Sequence, residues 1–306
     1  MQKTAAAAPA LPRRKKRYTD KYFALPAIIW VAVTTQIPFL TTVVLSTLKW
    51  NLVRPDQGIQ FDWFNNYLYY FTGSGAKDFW PILGQTFALL AVTLAGCTVF
   101  GFFVALLLDH RLAGINVVRT LVLGPFFVMS TTSGVIWKVT ILNMDFGWYA
   151  LICKTLGLQP VDFISHHPIG IIAFLFVWQW MPFFLLIILG GLQSLSEEVL
   201  ESAHIDGANW WVTTMRIKLP MIMNYMQTAI MLGLIFLVKE FGLILVTTKG
   251  GPGKSSYTLA YFIYDIVFTS KRVGRAAAIS VLTVILVSLS VNILLKLIHR
   301  RNEMLT

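Results

Sequence analysis

Four groups of side chains in this 306-residue sequence are of types that could do chemistry. Glu197, Glu198, Glu201, His204 and Asp206 share one polar stretch and invite a metal-hydrolase reading, yet the His-Glu-x-x-His spacing is absent and zinc sites need three or four ligands in tight patterns. Gly250-Gly251-Pro252-Gly253-Lys254-Ser255-Ser256 ends like a phosphate-binding loop. Such a loop needs a glycine five positions before Gly253, and Thr248 stands there. Lys239-Glu240 interrupts an apolar run, where a charge is expensive and marks a cavity or a partner. Trp178-Gln179-Trp180 joins aromatic faces, able to cover the C–H surface of a polyol, to an amide able to bond its hydroxyls. Trp178 and Trp180 do not share a helical face, so at least one of them is expected to pack. His166-His167 reads as solvated. No nucleophile–base pair emerges, so no catalytic residue and no metal ligand is assigned.

The elements that must position these groups are set by composition. Hydrophobic residues make up 56% of the chain and charged residues 13%, and mean hydropathy is +0.68. Soluble domains carry about 25% charged residues, which argues against a disordered chain, a coiled coil or an ordinary soluble enzyme. Two cysteines, Cys97 and Cys153, are too few for a disulfide framework, and Cys97 sits in an apolar run as a small hydrophobe. The net charge of +11 is concentrated in part in Arg13–Arg17, just ahead of the first apolar run. That is the pattern of a cytoplasmic membrane anchor rather than of a nucleic-acid arm.

About 20 apolar residues cross the hydrocarbon as a helix. Six such runs are expected, near Phe23–Leu48, Ile82–Leu108, Val117–Val139, Ile169–Leu192, Met221–Val246 and Ala276–Ile298. Pro125 and the hydroxyls of Ser130, Thr131, Thr132 and Ser133 make the third irregular. The first run is too long for a signal-peptide core and lacks a small-residue cleavage site, so it stays as a helix. Lys and Arg favour the segments on the N-terminal side by 14 to 10, a modest bias because Lys249, Lys254, Lys271, Arg272 and Arg275 crowd one outer loop. The chain is therefore expected to be all-α, with both termini in the cytoplasm. It divides into a basic tail (1–22), a six-span domain (23–298) and a short C-terminal tail (299–306). Residues 49–80 supply Trp50, Trp63, Tyr67, Tyr69, Tyr70 and Trp80 to the outer interface, and 140–168 and 247–275 contain possible half-helices.

The inner loop, 193–220, is long, polar and patterned. Ser194-Leu195-Ser196-Glu197 reads as a capping box. Leu195, Val199 and Ala203 recur at intervals of four as one apolar stripe, and Glu197, Glu198 and Glu201 suit the helix dipole. Asp206-Gly207 is expected to end the helix, since glycine accepts the left-handed conformation beyond a C-cap. A second short helix, Ala208–Met215, then leads to Leu219-Pro220. Two helices joined at a glycine corner make a small docking surface.

Glu201-Ser202-Ala203-His204-Ile205-Asp206-Gly207-Ala208, followed by Ile217-Lys218-Leu219-Pro220, resembles the Glu-Ala-Ala loop of ABC importer permeases, with Ser202 in place of an alanine. The resemblance extends over about Pro26 to Lys296. Asn143, Gly147, Trp178–Phe183, Thr248–Pro252 and Gly274–Ala278 are similar to the carbohydrate branch, with Arg275 where a tyrosine is frequent. Phe126–Met129, Gln159–Asp162 and Gly250–Gly253 look closest to sugar-alcohol permeases. The resemblance implies a type I importer permease fold in a bacterial inner membrane. It also implies a second homologous permease, two ATP-binding subunits that use ATP and magnesium, an extracytoplasmic solute-binding protein and a carbohydrate substrate. The helix ending at Gly207 would dock on an ATPase subunit, with Glu201, Ser202, Ala203, Asp206, Gly207 and Ala208 at the joint and the small residues allowing close approach. Trp178, Gln179, Trp180 and Glu240 are the candidate pathway residues, with an ion pair to Lys239 or to the partner permease as the alternative role for Glu240. An ion-gradient-driven transporter is the competing function. It predicts internal repeats and broken spans around ionisable residues.

Overall fold

The protein is described from a computed structural model covering residues 19–110 and 114–303. The basic segment Arg13–Arg17, Arg111 and the extreme C-terminal residues lie outside the described residues. In chain order, α1 (Thr19–Ser46) leads through a two-residue antiparallel ladder, Leu48–Lys49 on Gln60–Phe61, to α2 (Asn65–Phe71) and α3 (Ala76–Leu108). α4 (Ile115–Phe127) is followed by α5 (Ser130–Val135), which runs on as a π-helix to Ile141, then by α6 (Trp148–Thr155), α7 (Phe163–His166) and α8 (Pro168–Gln193). The loop holds α9 (Glu197–Ile205), α10 (Trp210–Val212) and α11 (Leu219–Met221). α12 (Met223–Leu237), α13 (Gly242–Thr247), α14 (Leu259–Phe268) and α15 (Val273–Glu303) complete the chain.

α1, α3, α8 and α15 are long and apolar enough to cross a bilayer unbroken. The third expected span is bent by 93° between α4 and α5. Val128 and Met129 are extended there, and Pro125 close before them has no backbone donor. The fifth expected span, Met221–Val246, is also not one helix. It is entered through a 61° bend at Ile222, and α12 stops at Leu237. The chain turns at Val238 and restarts at Gly242, so Lys239 and Glu240 sit in a break rather than on a helix. Fifteen residues of α12 fall short of the roughly 20 needed to span, and α13 lengthens the apolar path from the far side of that break.

Hydrophobicity alone does not join helices in lipid, so close packing of small residues matters. α3 and α8 pack along their length. A Cβ at Gly96 would overlap Val177, and one at Gly101 would crowd the Phe184–Leu185 backbone. Cys97 is fully buried in that seam. α5 lies against α13, where Gly134 leaves no room for a side chain beside Val246. At the opposite end of the molecule from α9, Gly274 passes directly over the Leu48 carbonyl, while Asn66 Nδ2 donates to the carbonyls of Ser46 and Leu48, both at 2.9 Å. Gly274→Ala would force its Cβ into that carbonyl oxygen. It is expected to cost about 1–3 kcal/mol or somewhat more, as core overpacking does, and to show as a marked drop in the melting temperature of the solubilised protein. α7 is capped by Asp162, which accepts from the Ile164 and Ser165 amides and from the Ser165 hydroxyl. Those bonds hold the carboxyl below its ordinary value, so the cap persists near neutrality and loosens as acid protonates it.

Candidate functional sites at a glycine elbow and two broken spans

The loop is built differently from its expected pattern at its start and as expected at its corner. Ser194 does not cap α9. It ends α8, and its hydroxyl donates to the Gly191 carbonyl at 2.8 Å. The N-cap is Ser196, whose side chain makes no capping bond; three residues on stands Val199, not a glutamate, so no capping box can close. At the other end, the Ala208 amide donates to the Ala203 carbonyl (2.9 Å) and the Gly207 amide to His204 (3.0 Å). This double closure is a Schellman motif and places Gly207 in the left-handed region, at φ +78°. Asn209 Oδ1 then accepts from the Val212 amide at 2.9 Å. The chain continues as a one-turn helix and a π-helical segment, Thr213–Lys218, rather than as a helix over Ala208–Met215.

The joint residues divide between an inner and an outer surface. Ala203 is buried against its own chain, so it supports the elbow from within instead of facing outward with the other small residues. The Ser202 hydroxyl donates back to the Val199 carbonyl, Ala208 is half-buried, and Glu201, Asp206 and Gly207 are exposed. The expected stripe is broken likewise: Leu195 is half-buried and Val199 exposed. The outward apolar surface comes from Ile205, Trp210 and Trp211, at 86%, 54% and 57% exposure. Sequence reasoning missed these three, although a Trp-Trp pair in a polar loop was a readable signal.

The end of the loop is tied to the membrane helices. Lys218 Nζ lies 3.0 Å from Asp109 Oδ2 just past the end of α3, and Arg119 donates to the Leu108 carbonyl at 2.7 Å. A cleft of about 650 Å³ beside this tie is lined by Asp109, Arg119, Leu192 and Leu200. Removing one charge of a largely buried pair strands the other, at about 1–3 kcal/mol. Asp109→Lys or Lys218→Asp alone is therefore expected to lower the melting temperature and transport. The double exchange should recover much of both, which a melting curve and an uptake assay on the three variants check.

The second site lies where the broken spans meet. Gln179 is buried, and its Nε2 donates to the Val128 carbonyl (2.8 Å) and the Ser130 hydroxyl (3.3 Å), on either side of the α4–α5 break. Its Oε1 has no partner among the described residues. A cavity of about 380 Å³ opens here, walled by Phe126, Phe127, Met129, Gln179 and Trp180. Trp180 stacks on Phe236 (5.8 Å between rings, 22°) and meets Phe126 edge-on. Trp178 turns away and packs on Trp137. The structure thus groups Gln179 and Trp180 and separates Trp178 from them.

Glu240 is half-buried in the α12–α13 break, and its Oε1 lies beside Gly242. Among the described residues it forms no ion pair with Lys239. The Lys239 ammonium lies instead over the Phe236 ring, 5.0 Å from its centroid. The pairing with Lys239 expected as one alternative for Glu240 is therefore not formed among the described residues. Lys138 Nζ donates to the Val246 carbonyl at 3.2 Å, binding the two broken regions together.

Spans broken around polar side chains, with a braced elbow on one face, define a membrane transport component. Residues 115–304 match the family described as binding-protein-dependent transport system inner membrane component, and the chain belongs to that family. It is 31% identical over 281 residues to a probable ABC transporter permease protein, y4oQ, of Sinorhizobium fredii, covering 90% of this chain and 89% of that one. It is 29% identical over 265 residues to the trehalose/maltose transport system permease protein MalF of Thermococcus litoralis, covering 86% and 88%. A solved bacterial ABC transporter involved in import of the acidic polysaccharide alginate contains a chain of the same fold. That chain has TM-score 0.77 and 20% identity, with 92% of this chain and 96% of that one covered. The fold is thus that of a type I importer permease, all-α and integral to the membrane.

Proposed function

We propose that this chain forms half of the translocation pathway of an ATP-driven carbohydrate importer in a bacterial inner membrane. The other half is a second, homologous permease, and two ATP-binding subunits grip the elbow around Gly207, hydrolysing ATP with magnesium. A solute-binding protein delivers substrate on the opposite face. The observation that carries the reading is the elbow: a Schellman-closed corner presenting Glu201, Ile205, Trp210 and Trp211 outward, tied to α3 through Lys218–Asp109. Such a surface can pass displacement from a motor chain into the spans. The names of the trehalose/maltose relatives support a carbohydrate; Phe126–Met129 and Gln159–Asp162 support a sugar alcohol or monosaccharide. In the pathway, Gln179 Oε1 and Glu240 accept hydrogen bonds from solute hydroxyls, and Trp180 covers a sugar face. A binding step shifts the transport cycle only as far as solute binds its two states unequally.

The breaks around Glu240 also fit an ion-gradient-driven transporter, since such proteins place sites at discontinuous helices. One experiment separates the two. The chain is purified with its co-expressed neighbours and offered a panel of sugars and polyols with the binding protein. Stimulated ATP hydrolysis by one of them is expected; solute uptake driven by an ion gradient without ATP would overturn the importer reading. In the same assay Glu240→Gln is expected to lower uptake severalfold with the complex intact, and unchanged uptake and coupling would remove Glu240 from the pathway.

A further inference from the structure

Five cations crowd the segment 249–275 on the face opposite the elbow, the side where positive charge is least expected. Lys254 is accounted for by its ion pair with Asp78. Arg272 and Arg275 instead join Lys49 and Arg54 around a pocket of about 410 Å³ that has no carboxylate in its lining. Among the described residues, none of these four side chains donates a hydrogen bond or forms an ion pair. Arg275 is held in place by stacking on Tyr69, 3.6 Å from the ring centroid, which leaves its N–H edge free. The walls are firm: Asn66 ties α2 to the carbonyls of Ser46 and Leu48, and the Leu52 amide donates to the Lys271 carbonyl at 2.9 Å. Asp78 and Asp265 share a neighbouring pocket with Arg272 and Arg275, but this one gathers four cations with no carboxylate in its lining, and such a surface attracts an anion.

The place of the pocket in the fold says which one. It is lined by the segment that directly follows α1 and by Arg275 in the first turn of α15, and those two helices pack on each other. They are also the least buried of the unbroken spans, with 0% and 11% of their apolar windows inside the chain. The pocket therefore stands at the ends of two helices whose apolar faces this chain leaves open. The half-buried Trp50 lines it, and Phe61, Trp63 and Phe64 on the neighbouring loop are 57%, 67% and 65% exposed, the aromatic surface of a segment lying in the headgroup layer. We propose that this pocket binds the phosphate of an anionic phospholipid, whose acyl chains run down the exposed faces of α1 and α15. Cations and a phosphate within a Debye length of each other attract, and least screening acts where both are partly withdrawn from water. The site is independent of the solute pathway and of the importer reading.

The test uses the full chain, purified with whatever subunits assemble on it, in lipid nanodiscs of phosphatidylcholine with or without phosphatidylglycerol. Native mass spectrometry is expected to show wild type retaining phosphatidylglycerol, with retention severalfold lower in Arg54→Glu/Arg272→Glu. Phosphatidylglycerol should raise the melting temperature of wild type and not of the variant. If the double variant fails to fold, Arg54→Gln, on an exposed loop, should show the same loss in smaller measure. Equal retention by wild type and variant would overturn the proposal. So would a thermal shift reproduced by millimolar inorganic phosphate in pure phosphatidylcholine, which would make this a soluble-anion site. It would also fall if retention stayed equal while the variant needed more solute-binding protein for half-maximal ATP hydrolysis, which would make the pocket a protein dock.

Discussion

Gln179→Leu is expected to lower solute uptake at least tenfold while the chain stays in the membrane at near-normal abundance. The side chain spans a break: Nε2 reaches the Val128 carbonyl and the Ser130 hydroxyl, which the 93° bend between α4 and α5 leaves outside any helical ladder. Leucine fills a similar volume but donates nothing, and stranding a carbonyl inside the protein costs about 1–3 kcal/mol. The fold is partly compensated, because the unpartnered Oε1 disappears as well. The cost falls instead on the geometry of the bend and on the acceptor offered to the cavity. About 1.4 kcal/mol between two states is already tenfold in their ratio. Uptake in vesicles, normalised to immunodetected protein and set beside a melting curve, checks it. Wild-type uptake would show that the bend needs no brace and the cavity no amide.

The spans were legible because the bilayer imposes a crude rule, about 20 apolar residues per crossing, and α3 and α8 obey it. The breaks were not legible by the same rule. Hydropathy sums over a window and does not register that Val128 and Met129 are extended, or that Val238 to Phe241 form a turn, when apolar residues flank both. Pro125 hinted at the first; for the second the charged Lys239-Glu240 pair was the only mark, and its place inside a long apolar run is equally that of a helix. The capping box failed for another reason. Ser194 and Glu197 have the right spacing, but α8 continues through Gln193 and claims Ser194 for its own C-terminus, so the pattern straddles two helices. Gly207 was legible because a left-handed corner after a helix is a local demand on one residue, met whatever surrounds it. Ala203, two residues past the middle of that helix, took its inward role from packing that no local pattern encodes.

That local demand makes Gly207 the sharpest test of how the loop works. A Cβ on Gly207 would meet nothing within 4 Å in this chain, although φ is +78°. Substitution therefore adds strain of about 1–2 kcal/mol, the cost of the left-handed conformation to a residue with a side chain, and no internal clash. Gly207→Leu should leave membrane abundance close to normal. Its side chain projects from an exposed corner into the space a motor subunit would fill, so uptake is expected to drop tenfold or more, with ATP hydrolysis no longer responding to solute-loaded binding protein. Gly207→Asn separates the two contributions. Asparagine tolerates the left-handed region better than other residues with a side chain, so it relieves most of the strain while keeping bulk at the corner. If strain alone matters, Asn restores uptake; if a partner packs on the corner, Asn stays defective in proportion to its size. Unimpaired, solute-responsive ATP hydrolysis in Gly207→Leu would mean that nothing grips the elbow, and that force reaches the spans by some other contact.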